Sequence, residues 1–268
     1  MPSLYAHNKF GKKVLKNLPQ NLRDIVADYQ DAFRIGLQGP DSIFYYYPVY
    51  KNSTNQYGVK IHHEDAYPFF EDALSIISAY GYESSCHAYI LGYICHFVLD
   101  RECHPLVDKY MEDSGCGHIE IEGDLEHLMM SLDGFEPAHY ASYRLIPANL
   151  GSAFAMAPFF SELSTSAIHT ALVHMRLTKR LFFAPGPKKQ IIIDSIMKAS
   201  FHYKYFKGHM IEASPNDNCR PYSKLIYEKL LESIPLAVDL IEEFEHCLTN
   251  DLLLPDSFHG DFYGKKRI

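Results

Sequence analysis

Residues 92–105 read GYICHFVLDRECHP. Wound as a helix, this run sets His96, Asp100 and His104 at i, i+4 and i+8. The three drift only about 80° around the axis and so leave by one face. Phe97, Val98 and Leu99 lie between them as an apolar wall that would bury the helix. A polar group buried without a partner costs about 2–7 kcal/mol, so three in a row call for something that binds them. Imidazole and carboxylate together are metal-ligand chemistry. A second pair, His118 and Glu122, follows fourteen residues after His104 and is again spaced i and i+4. Alone it would read equally well as a surface pair; beside the first motif it reads as more ligands.

Around that motif the chain has ordinary globular composition. Hydrophobic residues make up 47% and charged residues 22% of 268 positions, which excludes wholesale disorder and allows a large core. The formal net charge of −8 gives no overall pull toward nucleic acid or an anionic membrane, so no stable nucleic-acid partner is expected. Fifteen histidines are the compositional oddity. The opening MPSLYAHNKFGKK holds no apolar run of signal-peptide length, and no stretch of about eighteen apolar residues occurs. The expectation is a cytoplasmic protein with no transmembrane segment. Thiols stay reduced there, and Cys86, Cys95, Cys103, Cys116, Cys219 and Cys247 form no CxxC pair. They read as small hydrophobes or free thiols.

Hydrophobic periodicity predicts a short helix over 7–18 and more helix up to Gly36, broken by Gly39-Pro40-Asp41. The run 43–50, IFYYYPVY, reads as an aromatic loop, and 52–58 as a polar turn. Asp65 is a candidate N-cap, with Pro68 in the first turn of the helix that follows. The central helix is expected over 83–104, a loop over 114–117 and a helix over 118–132. Further helices are expected at 161–182, 188–204 and 221–249, the last bent or split at Pro235. Strands do not alternate with helices, so the expected fold is all-α: a single-domain multi-helix bundle (1–268). His87, His127 and His139 do not follow ligand spacing and read as supporting or structural polar residues. Tyr45, Tyr46 and Tyr47 would either line the cleft or pack in the core.

In order, the candidate ligands are His7, Asp41, His62 or His63, His96, Asp100, His104, His118 and Glu122. This order resembles the zinc-dependent phospholipases C, which include the bacterial alpha-toxins, and their relatives the single-strand-specific fungal nucleases. In that family the ligands run His, Asp, His, then HxxxD followed shortly by His, then HxxxE or HxxxD. GPD supplies Asp41 here, and KIHHED supplies the next histidine, with His62 preferred to His63. MPSLYAH and GYICHFVLDRECHP look like the small intracellular members, and the motif matches cover residues 2–122.

The resemblance implies two or three Zn2+ ions at the bottom of a cleft. Asp41, His62, His96 and Asp100 would hold one zinc, His104, His118 and Glu122 its neighbour, and Asp100 would bridge to a third held by His7. It implies hydrolysis of a phosphodiester, a phospholipid headgroup ester or a related one, by metal-bound hydroxide, with Asp41 as candidate general base. Secreted relatives complete the third site with an N-terminal tryptophan. This chain has no tryptophan; loss of Met1 would offer the Pro2 amine in its place. The alternatives are a nuclease or small-molecule phosphodiesterase on the same site, or a non-catalytic zinc-binding protein.

Overall fold

The computed structural model describes residues 3–199 and 203–265, leaving aside the side chains of 204 and 205. Among the described residues the chain is helical, with no strand. The helices are α1 (Leu4–Leu15), α2 (Gln20–Asp28), α3 (Gln30–Gly36), α4 (Ser53–His62), α5 (Tyr67–Tyr80) and α6 (Ser85–Ser114). There follow α7 (His118–Leu132), α8 (Leu150–Met156), α9 (Thr165–Phe182), α10 (Pro187–Ala199), α11 (Tyr203–Lys207) and α12 (Arg220–Asn250). A 3-10 turn, Gly39–Tyr45, lies between α3 and α4, and a C-terminal strap runs from Leu254 to Lys265 after α12.

Helix α6 is the element the others pack on. The Ser84 side chain caps it by accepting from His87 N–H, and it ends where Gly115 turns left-handed at φ 69°. Every residue from Cys86 to Asp100 is buried, so here the helix is enclosed on all sides. Helices α3, α7 and α12 lie against it, and α12 also packs on α7. The α3 crossing is a contact of backbones. A Cβ on Gly92 would lie 2.3 Å from Phe33 O, and one on Gly36 would lie 2.1 Å from Tyr89 O. The main core runs from Leu4 to Phe262, and a smaller cluster joins Phe182, Ala184, Ile193, Met197 and Met210. All six cysteines are free and buried. Among the described residues no helix is long and apolar enough to cross a membrane.

Several element boundaries differ from expectation, each for a local reason. Helix α1 opens at Leu4 rather than His7 because Glu126 of α7 accepts from the backbone N–H groups of Tyr5 and Ala6. Tyr29 (φ −122°, ψ 47°) divides the second predicted helix into α2 and α3. The predicted turn at 52–58 is helical, because Asn52 and Asn55 cap each other reciprocally to start α4. Asp65 stands just before α5 and accepts from the N–H of its first residue, Tyr67, at 3.4 Å, while its shorter contacts go to the strap: Gly260 N–H at 2.8 Å and His259 at 2.7 Å. Helix α6 runs past His104 through Pro105, whose missing N–H leaves the Arg101 carbonyl facing Gly264 of the strap. Helix α12 likewise continues through Pro235 as one helix. Residues 200–202, within the predicted helix 188–204, lie outside the described residues.

Two effects compete at Gly92. Alanine favours a helix by about 1 kcal/mol over glycine, whereas overpacking a close contact costs about 1–3 kcal/mol. With a carbonyl 2.3 Å from the new Cβ, the clash wins. Gly92→Ala should lower stability by about 2 kcal/mol in urea unfolding, while Gly186→Ala, with open space around it, should change it by less than about 0.5 kcal/mol.

Candidate metal centre

Five segments carry the candidate ligands inward. His7 comes from α1, Asp41 from the 3-10 turn and His62 from the last position of α4. His96, Asp100 and His104 share one face of α6, and His118 and Glu122 share the first turns of α7. They form two groups. Asp41, His62, His96 and Asp100 make the first; His104, His118 and Glu122 make the second, and the ligand atoms within each lie within 4.8 Å of one another. His7 belongs to neither group but places Nε2 3.2 Å from Asp100 Oδ1 and stacks its ring on His96 at 4.4 Å. His63 is exposed and turned away, stacked on Tyr263. Pro2 lies outside the described residues.

Three of the histidines are oriented in one way. His62 Nδ1 meets Gly58 O at 2.8 Å, His96 Nδ1 meets Leu37 O at 3.3 Å, and His104 Nδ1 meets Phe262 O. A carbonyl oxygen only accepts, so each Nδ1 donates a proton and each neutral ring presents a lone pair at Nε2. Burial pushes His62 down to about 3. The same cause, opposed by the charge of Asp100, holds His96 well below the ordinary value and lowers His104. The lone pairs point at carboxylate oxygens. His62 Nε2 lies 2.9 Å from Asp41 Oδ1, His96 Nε2 3.3 Å from Asp100 Oδ2 and His104 Nε2 3.8 Å from the same oxygen.

Burial works against ionised Asp100, and positive charge at His104 and His96, with the His7 hydrogen bond, draws it well below the usual carboxylate range. Burial leaves both of those imidazoles neutral in the metal-free chain, so that charge would have to come from a cation. An ionised carboxylate facing a neutral nitrogen base sets acceptor against acceptor, which is repulsive at low dielectric. His96 Nε2, Asp100 Oδ2 and Glu122 Oε2 are buried and make no hydrogen bond with the described residues. A cation between these atoms resolves both problems, and a nitrogen and oxygen donor set suits zinc. In the second group burial lowers His118, but Glu122, 3.2 Å away, outweighs it and raises the imidazole above its usual value. Metal uptake there must displace that proton.

The family model for zinc-dependent phospholipase C matches residues 6–172. The chain belongs to that family. No curated protein and no solved structure matches it. The matched segment contains both groups and His7, and it ends within α9. Zinc, which the family name implies, fits the opposed acceptors of the first group and the buried unpaired oxygen of Glu122.

Some residues that shape the centre escaped the sequence reading. Gly39 (φ +48°) lets the chain cross His96, where a Cβ would lie 2.2 Å from the ring. Glu126 caps the helix that carries His7, and its i+4 spacing from Glu122 was a usable signal. The strap carbonyl that orients His104 had no signal at all. His87 pairs with Glu245 at 2.6 Å, and His127 lies beside Arg220, both apart from the metal groups.

Acid should destabilise the metal-free protein. The unfolded chain protonates His62, His96 and His104 near pH 6.5, whereas the folded chain resists until lower pH, and much lower for His62 and His96. A lowered folded pKa means stability is lost as pH falls below the unfolded value, at up to about 1.4 kcal/mol per histidine per pH unit. His118, with its raised pKa, and Glu126, pushed up to about 7, work the other way, while His209, held well below its ordinary value, adds to the loss. The urea midpoint of chelator-treated protein should therefore fall from pH 7 to pH 5; a flat profile would show that these histidines are not buried neutral.

Proposed function

We propose that the chain hydrolyses phosphodiesters of the phospholipid type at a centre of two or three zinc ions. The proposed ligands are His7, Asp41, His62, His96, Asp100, His104, His118 and Glu122. The observation that carries this reading is Asp100. Its Oδ1 faces His7, and its Oδ2 faces both His96 and His104, so one carboxylate joins ligands of every proposed ion. A purely structural zinc site closes its shell with four protein ligands, whereas the second group supplies three and leaves a position for water or substrate.

The chemistry supplied by bound zinc is activation of water near neutral pH and neutralisation of charge on the phosphoryl oxygens. The chain's own residues set the rest. Asp41, fully buried and held against His62, is the proposed general base that takes the proton of the attacking water. A cavity bordered by Glu122, Glu126, Tyr140, Lys179 and His209 lies beside the second group and offers an approach for the ester. The Lys179 ammonium in its wall supplies positive charge to a phosphate.

Elemental analysis of protein purified without chelators should find two or three zinc ions per chain. Asp100→Asn and Glu122→Gln should each cut phosphodiester turnover by about a hundredfold or more and lower zinc content, while the metal-free variants melt close to the metal-free parent. Zinc content of zero or one that added zinc does not raise would refute the reading. Full zinc occupancy with no turnover on phospholipid or simple phosphodiester substrates would instead identify a non-catalytic zinc protein.

A further inference from the structure

Beyond the matched segment, the chain returns to the centre as the C-terminal strap. Gly260 O accepts from Ala66 N–H at 2.9 Å, and Phe262 N–H donates to His62 O at 3.3 Å. The buried Asp261 carboxylate folds the next turn by accepting from Tyr263 and Lys265 N–H, both at 2.9 Å. Gly264, left-handed at φ +74°, then lies against Arg101 and Pro105 of α6, where a Cβ would meet Arg101 O at 2.8 Å. The strap thus touches ligands of both groups. The Phe262 ring lies 4.9 Å from His62 and 5.7 Å from His96, while its carbonyl binds His104 Nδ1. The Tyr263 ring stacks on His104 at 4.8 Å and 22°, and on the exposed His63 at 4.8 Å and 4°.

A hydrogen bond to a carbonyl fixes the tautomer of an imidazole but does little by itself against rocking of the ring about that bond. A flat aromatic face against the imidazole removes the rocking. The need is greatest at His104, because Pro105 interrupts the backbone ladder of α6 immediately after it. We propose that Tyr263 is a positioning residue of the second metal group, acting through His104: its ring holds the imidazole so that Nε2 stays with the ligand atoms of His118 and Glu122. This inference rests on the proposed zinc centre. Groups that orient a metal ligand govern affinity without touching the ion, and losing one costs about 10–100-fold in binding.

The test uses full-length protein, counting zinc retained against a graded chelator and following the His104 ring nitrogens of the metal-free protein by 15N NMR. Tyr263→Ala should release one ion about tenfold or more readily than wild type and keep the rest. The same variant should show exchange broadening at His104, with a metal-free melting temperature near the parent's. Tyr263→Phe, which keeps the ring and loses the hydroxyl, should behave as wild type. Tyr263→Leu, which keeps bulk without a flat face, should match Tyr263→Ala and replaces it should that variant not fold. Wild-type retention of every ion in both the alanine and leucine variants overturns the inference and leaves the zinc centre standing. Loss of all ions together with the fold in both shows a merely structural role and also overturns it. A wild-type protein that binds no zinc overturns the centre itself, and this inference with it.

Discussion

The contact on which the structure depends is repulsive in the isolated chain: bare imidazole nitrogens set against carboxylate oxygens inside a buried helix. His62 Nε2 faces Asp41, and His96 Nε2 faces Asp100, in surroundings that keep both histidines neutral. Such an arrangement requires a fold that imposes it, and a cation between the facing atoms would relieve it. The imposition is visible in α6, which is enclosed from Cys86 to Asp100 and approached by α3 to backbone distance at Gly36 and Gly92. Helices pressed that closely cannot swing His96 or Asp100 out to water.

Orientation of the ligands comes from elsewhere in the chain. Leu37 after α3, Gly58 in α4 and Phe262 in the strap each contribute one backbone carbonyl, and each carbonyl fixes the proton of one histidine on Nδ1. Backbone carbonyls suit this role because they cannot donate and do not titrate. They leave one protonation pattern in which all three Nε2 atoms are available together. Three distant segments must therefore be folded before this donor set exists, so the candidate metal centre depends on assembly of the whole fold.

Much of this was legible in the sequence because helical spacing acts locally. The i, i+4, i+8 run from His96 to His104 and the pair His118 and Glu122 name one face of one helix whatever surrounds them. The all-α fold followed from the same periodicity, and the resemblance that orders the motifs agrees with the matched family. Features made by partners distant in sequence were not legible. The start of α1 depends on Glu126, more than a hundred residues away, so periodicity alone set it too late. Helix α4 was read as a turn because its residues are polar, and the reciprocal Asn52–Asn55 cap outweighed that weak propensity. Asp65 has the residue type of an N-cap and reaches Tyr67 N–H at the start of α5, but its shorter bonds go to the strap.

Helix α7 shows how the first residues are tied to the centre. His118, Glu122 and Glu126 repeat on it the i, i+4, i+8 spacing found on α6. The first two stand in the second metal group, while the third receives the N–H groups that open α1, three residues before His7. A carboxylate is well placed there, because the unpaired N–H groups and the dipole of a helix start both favour negative charge. Burial pushes Glu126 upward, toward the neutral acid, and the neighbouring Lys179 opposes that shift and favours the charged cap. Lys179 lies on α9 beyond the matched residues, as does the strap that holds His104. The strap that orients His104 and the lysine that favours the charged Glu126 cap of the His7 helix thus both lie outside the segment that carries the family's ligands. A chain ending at the matched segment would keep every candidate ligand and the Glu126 cap, but lose the strap on His104 and the lysine that favours that cap.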